Sequence, residues 1–265
     1  MTADEVPLSD GSPSVSGAKL IAGAVHRTTG AWTDSVHGLL HHLEAVGFDG
    51  APRMTGFDAE GREILEWVEG EAPDYPWPAW MTSEEVLAEL AALLRRYHEA
   101  VASFVPPANA SWRKWLGSPG GPIIRHGDLW PANVVFRHGL PVALIDWDFA
   151  QPGTIIDDVS SAAKHWVPLV SDERARADGW RVPFDRRQRL KVLCDAYGLG
   201  RESRAELIPT ALRNSEYGYL SHKTWGQAGV PGFAEMWRAG SGESILGDRA
   251  WLEVARPDLE GFADD

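Results

Sequence analysis

A single cysteine, Cys194, stands in 265 residues, so no intrachain disulfide can form. It falls in Leu190-Lys191-Val192-Leu193-Cys194, an apolar helix face, and is expected to be a structural thiol rather than a nucleophile. Long apolar runs are also missing. No stretch of about eighteen apolar residues occurs, which excludes a membrane-spanning helix. Positive charge is scarce: 25 Lys and Arg face 38 Asp and Glu, for a formal charge of −13. Nucleic-acid binding wants a basic face, and this balance argues against one. The opening residues 1–14 carry neither a basic segment nor an apolar core, so they do not form a secretion signal. There is no internal repeat, coiled coil or low-complexity tract beyond that polar tail. The expectation is a cytoplasmic protein with neither membrane nor nucleic acid as partner.

What is present is enough for a sizeable core: 44% hydrophobic residues, with 13 Trp. The most informative stretch is His126-Gly127-Asp128-Leu129-Trp130-Pro131-Ala132-Asn133, followed by Ile145-Asp146-Trp147-Asp148. Asn133 lies five residues after Asp128, and Asp146 thirteen after Asn133. Between them Val134-Val135-Phe136 and Pro141-Val142-Ala143-Leu144-Ile145 are short apolar runs around a polar turn, Arg137-His138-Gly139. Such a pattern forms a β-hairpin, which brings Asn133 at its entrance close to Asp146 at its exit. Two oxygen donors at one end of a hairpin make a hard-cation site, where phosphates and water complete the octahedron of Mg²⁺. Asp128 sits in the preceding loop, where a carboxylate can face a bound alcohol. Each residue singly also suits a cap or turn. Together they match the parts list of phosphoryl transfer.

These motifs resemble the aminoglycoside phosphotransferase and choline-kinase-like family, small-molecule kinases with a protein-kinase-like fold. The resemblance rests on residues 126–136 (HGDLWPANVVF) and 143–150 (ALIDWDFA), continues through 150–163, and matches more weakly over 25–70. It implies that Asp128 is the catalytic carboxylate and that Asn133 and Asp146 are the metal ligands. His126 is expected to orient the Asp128 loop. Asp148 is expected to support the metal site or to cap the next turn. The implied cofactor is Mg²⁺, with ATP or GTP as phosphoryl donor and a small alcohol as acceptor. A protein acceptor is disfavoured. Regulated protein kinases carry Arg where Gly127 stands, and Asp146 does not open a long activation segment.

The expected architecture is α+β: a two-lobed protein-kinase-like fold with a small β-rich N-terminal lobe over residues 1–69 and a larger, mainly helical C-terminal lobe over 70–265. Strands are expected at 18–22 and 24–27, then a helix capped by Thr33 or Asp34 and running to Val46, then a hairpin of 52–57 with 62–68. Residues 69–76 are polar and breaker-rich and mark the lobe boundary. Ser83 opens a helix with Val86, Leu87, Leu90, Leu93, Leu94 and Tyr97 at helical spacing. Further helices are expected at 158–166, 186–197, 202–222 and 242–254.

By the same resemblance, adenine should lie against the backbone of Trp67, Val68 and Glu69. Gly11 to Gly17 stands where a loop would cover the phosphates, or is simply a polar tail, with Pro13 removing one N–H donor. The lysine that clamps phosphates in kinases is missing from its place. Arg27 stands near it, with Lys19 one strand earlier as the alternative. The partner glutamate is also missing, since the helix presents His37 and Gly38 there. His37 and His41 are one turn apart but lack further ligands for zinc, so a solvated face is expected. Acceptor contacts are sought at Trp130, Glu216, Tyr219, His222, Trp225, Glu235, Trp237 and Asp248. Aromatic faces with nearby acids suit an aminoglycoside-like or amine-bearing alcohol, and the acidic surface would attract one, though net charge also serves solubility alone. The rival to an enzyme is a non-catalytic nucleotide-binding protein of the same fold, favoured by the missing lysine and glutamate.

Overall fold

The short strands of the N-terminal region build one sheet. In the computed structural model, which describes residues 5–8 and 17–263, strands β1 (Glu5–Pro7), β2 (Lys19–Ile21) and β3 (Ala24–Arg27) lead into helix α1 (Thr33–Ala45). The hairpin β4 (Met54–Phe57) and β5 (Glu63–Glu66) follows. All five strands pair antiparallel, in the order β1-β2-β3-β5-β4. The register sets Arg27 of β3 directly opposite Glu63 of β5. β1 lies in a stretch expected to be a polar tail, and residues 11–16 of the proposed phosphate loop are outside the described residues. Helix α1 turns Val36, Leu39, Leu40 and Leu43 inward. Its N-cap is Trp32, not Thr33 or Asp34; the Thr33 hydroxyl instead accepts from the Gly30 N–H at 2.9 Å.

The connector that follows is stitched to the helical region. Glu71 and Phe136 exchange backbone hydrogen bonds of 2.8 and 2.7 Å. Gly70 is required there: a Cβ would stand 2.4 Å from the Phe136 carbonyl oxygen. Helix α2 (Glu84–Val101) is capped by the Ser83 side chain and buries all six of its expected apolar positions. It is the central post of the helical region, packed against α1, against the strands β6 (Ile123–Arg125) and β8 (Leu140–Leu144), and against α3 (Ile155–Trp166) and α5 (Arg186–Tyr197). β6 pairs with β9 (Gln151–Gly153), and β7 (Val134–Arg137) forms the hairpin with β8. His138 and Gly139 at its tip have φ of 54° and 77°, the positive pair that a two-residue hairpin turn demands.

Beyond α3 come α4 (Asp172–Ala177), α5, α6 (Arg201–Ala205), α7 (Leu207–Gln227), α8 (Phe233–Arg238) and α9 (Ser241–Leu259). Thus the helix expected at 202–222 is two, broken at Glu206, and the short α4 and α8 were not foreseen. Periodicity needs more than one or two turns to register. Among the described residues, no helix is long and apolar enough to cross a membrane.

Candidate functional site

One cleft of about 1160 Å³ is lined both by the sheet and by the helical region. Its floor is the loop after β6. Three buried groups fix that loop. The Asp158 carboxylate on α3 accepts from the backbone N–H of His126 (2.7 Å) and of Gly127 (2.9 Å). Asp158 is itself bonded to His98 of α2 at 3.1 Å. The fully buried His126 bonds through Nε2 to the Ile145 carbonyl at 3.0 Å, while its Nδ1 accepts from the Asp128 N–H at 3.3 Å. Burial keeps this imidazole below its usual pKa, so the neutral ring spans the two motifs as an orienting strut. Gly127 has φ of +81°, and a Cβ there would meet the Phe149 carbonyl at 2.3 Å, which explains why no side chain occupies this position.

Asp128 and Asn133 line the cleft together, and the Asn133 amide donates to Asp128 Oδ2 at 3.0 Å. Burial, with the nearby charge of Asp146, pushes the Asp128 carboxyl up to about 7. The hairpin closes as expected: the Ile145 N–H reaches the Asn133 carbonyl at 2.9 Å. Asp146 follows with φ of 59°, a left-handed conformation uncommon outside glycine, so the chain turns abruptly and leaves this carboxylate on the cleft wall.

Arg27 is buried at the centre of the acids. Its Nε donates to Glu63 at 2.7 Å, Nη1 to Asp146 at 2.9 Å, and Nη2 to Asp148. Burial opposes its charge, but Asp148, Asp146 and Glu63 together hold its pKa above the ordinary value. The second oxygen of Glu63 meets His37 Nε2 at 2.5 Å. His37 therefore does not lie on a solvated face. It is buried on α1, in the place where the partner glutamate was sought, and reaches Arg27 through Glu63. Asp148 caps nothing through its side chain and pairs with Arg27 instead. Lys19 is cross-strand to His26, on the opposite face of the sheet from Val25 and Arg27, and does not line the cleft. Trp67 and Val68 line it, while the Glu69 carbonyl is taken by Arg137 at 3.0 Å.

At the other end, Trp130, His222 and Asp248 line the cleft. Trp130 packs edge-on against Trp77 and His165, each at 4.8 Å. His222 bonds to the Ser241 hydroxyl at 3.0 Å, and burial lowers its pKa to about 4. The remaining candidates are not brought there. Glu216 faces Arg249 at 3.7 Å, and Glu235 caps α8 through the Gly232 N–H at 2.6 Å. Trp225 packs into a buried aromatic cluster with Phe149 and Phe233, and Tyr219 lies against Trp237. Glu216 thus ties α7 to α9, while Tyr219, Trp225, Glu235 and Trp237 pack or bond at the α7–α8 corner.

Two cleft residues, Arg113 and Lys164, and the buried Glu63 behind Arg27 are not among the residues expected from the sequence. Arg113 has its guanidinium over the rings of Trp32 and Phe149, both at 4.7 Å, with Phe233 and Trp225 slightly farther. It is 4.0 Å from Asp148, and its buried Nη1 makes no hydrogen bond among the described residues. Nothing in its surroundings, Ser111-Trp112-Arg113-Lys114-Trp115, marks it by spacing. Lys164 is likewise hidden within the helix pattern of α3. Glu63 did carry a signal: it is in phase with the buried Leu65 on β5, so it had to point inward.

A model of the phosphotransferase enzyme family designated APH matches residues 13–193. The trifolitoxin immunity protein of Rhizobium leguminosarum bv. trifolii is 38% identical over 251 residues, covering 88% of this chain and 92% of that protein. Solved structures share the fold at low identity. The microcompartment-associated aminopropanol kinase aligns with TM-score 0.61 and 14% identity, over 98% of this chain and 93% of its own. The gentamicin complex of APH(2")-IIa gives 0.57 at 12% identity, over 94% and 90%. A choline/ethanolamine kinase family protein from Mesorhizobium loti gives 0.57 at 10%, over 96% and 93%.

Proposed function

The chain belongs to the APH phosphotransferase enzyme family, and on that premise we propose that it moves the γ-phosphoryl group of ATP or GTP to a hydroxyl of a small amine-bearing molecule, with Mg²⁺ as cofactor. One observation carries this: Asp128, Asn133, Asp146 and Arg27 converge on a single cleft that continues into a second, separately lined end. In this assignment the Asp128 carboxylate orients the acceptor hydroxyl and takes its proton. The hydroxyl oxygen forms a bond to the γ-phosphorus as the bond to the β–γ bridging oxygen breaks. A carboxyl raised to about 7 is well matched to that proton transfer near neutral pH.

The Asn133 and Asp146 oxygens would hold Mg²⁺. They are hard oxygen donors. Among the described residues no cluster of three His, Cys, Asp or Glu side chains forms a complete cage, as suits an ion shared with phosphates. Bound there, Mg²⁺ neutralises charge on the phosphates. Arg27 uses three of its five N–H groups on carboxylates, and the remaining two are assigned to phosphate oxygens. Arg113, whose Nη1 makes no hydrogen bond among the described residues, is assigned to the transferring group. Residues 1–69 are taken as the nucleotide lobe and 70–265 as the catalytic and acceptor lobe. The 38%-identical relative is named for immunity to a toxin, and a protective phosphorylation of an antibiotic-like acceptor is the corresponding role here.

The test is mass-spectrometric detection of a phosphorylated product from a panel of aminoglycosides, amino alcohols and sugars, with Mg²⁺ and ATP or GTP. An adduct absent in Asp128→Asn supports the assignment. Product formation that survives Asp128→Asn sinks it. A second possibility, nucleotide binding without turnover, is favoured by the contact of Arg27 with both Asp146 and Asp148. It predicts nucleotide-dependent thermal stabilisation and no acceptor-dependent product.

A further inference from the structure

The acceptor end of the cleft holds both signs of charge, and most of those charges satisfy one another. Arg174 of α4 pairs with Asp178 at 2.8 Å and donates to the Ser244 hydroxyl at 2.7 Å. The Tyr75 hydroxyl donates to the same Asp178 at 2.7 Å. His165 is held far below its usual pKa by burial and by the neighbouring cations Lys164 and Arg174, so it faces the cavity neutral. Two groups remain. Lys164 on α3 and Asp248 on α9 both line the cleft, and among the described residues neither has a side-chain hydrogen bond or an ion pair. Each is the chief electrostatic counterweight to the other's burial, yet they do not touch.

Both are half-buried, and partly desolvated charges ordinarily have partners. A cation and an anion that line one cavity without pairing are completed by a ligand carrying both signs. An amine alone would meet Asp248 but also the repulsion of Lys164, and an acid alone the reverse. We propose that the acceptor is a zwitterionic alcohol, its carboxylate bound by Lys164 and its ammonium by Asp248, with its hydroxyl reaching Asp128 in the same cleft. This rests on the phosphotransfer proposed above and narrows the amine-bearing acceptor to one that also carries an acid.

The test compares matched acceptors on the full chain with Mg²⁺ and ATP or GTP, measuring kcat/KM from phosphorylated product. L-homoserine, L-serine and L-threonine carry both charges. 3-Aminopropanol lacks the carboxylate, 4-hydroxybutyrate lacks the amine, and kanamycin is a polycation. At least one hydroxy-amino acid should exceed both truncated compounds by about tenfold or more, the worth of one charge-assisted hydrogen bond. Lys164→Met should collapse the preference over 3-aminopropanol while Lys164→Arg retains it. Asp248→Asn should collapse the preference over 4-hydroxybutyrate. Because these variants are read as ratios between acceptors, a loss of folded protein does not imitate the result. A ratio that Lys164→Met leaves intact overturns the inference, as does failure to phosphorylate any hydroxy-amino acid. If 3-aminopropanol or kanamycin is then phosphorylated, phosphotransfer itself stands. If no product forms and Mg²⁺-nucleotide does not bind, both proposals fall.

Discussion

At one end of the cleft, Arg27 meets Glu63, Asp146 and Asp148, and His37 closes the chain on Glu63. At the other, Lys164 and Asp248 face the same cavity and leave each other unpaired. The groups of the first arrangement bond one another, and those of the second do not. A cluster whose groups already bond one another holds its geometry at rest, and in the proposed reaction it would meet a phosphate chain that is the same in every turnover. Open charges instead place part of their desolvation cost on the ligand, so only a matching acceptor recovers it. Changes at the paired end should therefore appear mainly as lost stability, and changes at the open end mainly as lost discrimination.

The largest effect is expected between the two ends. Asp128→Asn keeps the shape and the contact with Asn133 but removes the proton acceptor, and should lower turnover by about a thousandfold. Retention of more than a tenth of the product-forming rate would detach Asp128 from the chemistry. Next comes Glu63→Gln. It strips the buried carboxylate from both Arg27 and His37 and should cost about 3 kcal/mol in denaturant unfolding, the scale for breaking a buried ion pair. His37→Gln, which retains an amide able to bond Glu63, should cost less. If the two substitutions proved additive in a double-mutant cycle, the three-residue chain would be only an accident of packing.

The same contrast explains how much could be read from residues alone. The convergence of Asp128, Asn133 and Asp146 on one cleft was legible because a loop and a hairpin fix their spacing locally. The apolar face of α2 was legible because its period is local too. Arg27 was placed correctly on its strand, but its partner was not, since the expectation looked along the chain to α1. The pairing comes instead from strand register, Arg27 opposite Glu63 across 36 positions. Glu216 and Glu235 were drawn toward the acceptor site by composition, whereas local geometry engages them elsewhere: an ion pair with Arg249, and the N-terminus of α8. Arg113 and Lys164 became visible only through what surrounds them, aromatic rings for one and the absence of a partner for the other.

At the open end, acid should loosen the protein through His222. Its pKa is lowered from 6.5 to about 4 by burial first and by the charge of Lys164 second. A depressed base binds more protons when unfolded, so its contribution to stability is present above pH 6.5 and is lost as pH falls toward 4. The full effect should be about 2 kcal/mol after discounting for residual solvent contact. His222→Gln should flatten unfolding free energy against pH across that window. An unchanged slope would mean that the ring takes up its proton without disturbing its contact with Ser241.

The smallest and most selective effect belongs to Arg113, which stands between the two regimes. Aromatic rings surround its guanidinium as carboxylates surround that of Arg27, yet Nη1 makes no hydrogen bond among the described residues. Burial lowers its pKa against the pull of Asp148, Asp146 and Asp128, so an anion arriving beside those carboxylates would relieve an unmet donor. If that anion is the γ-phosphate, Arg113 should favour nucleoside triphosphate over diphosphate by about tenfold, one charge-assisted hydrogen bond's worth. Titration with ADP and with a non-hydrolysable ATP analogue in Mg²⁺ would show it. Arg113→Met should bring the two affinities together while Arg113→Lys restores part of the difference. Equal loss of affinity for both nucleotides would instead make Arg113 a pillar of the aromatic cluster, and would move it from the open regime to the closed one.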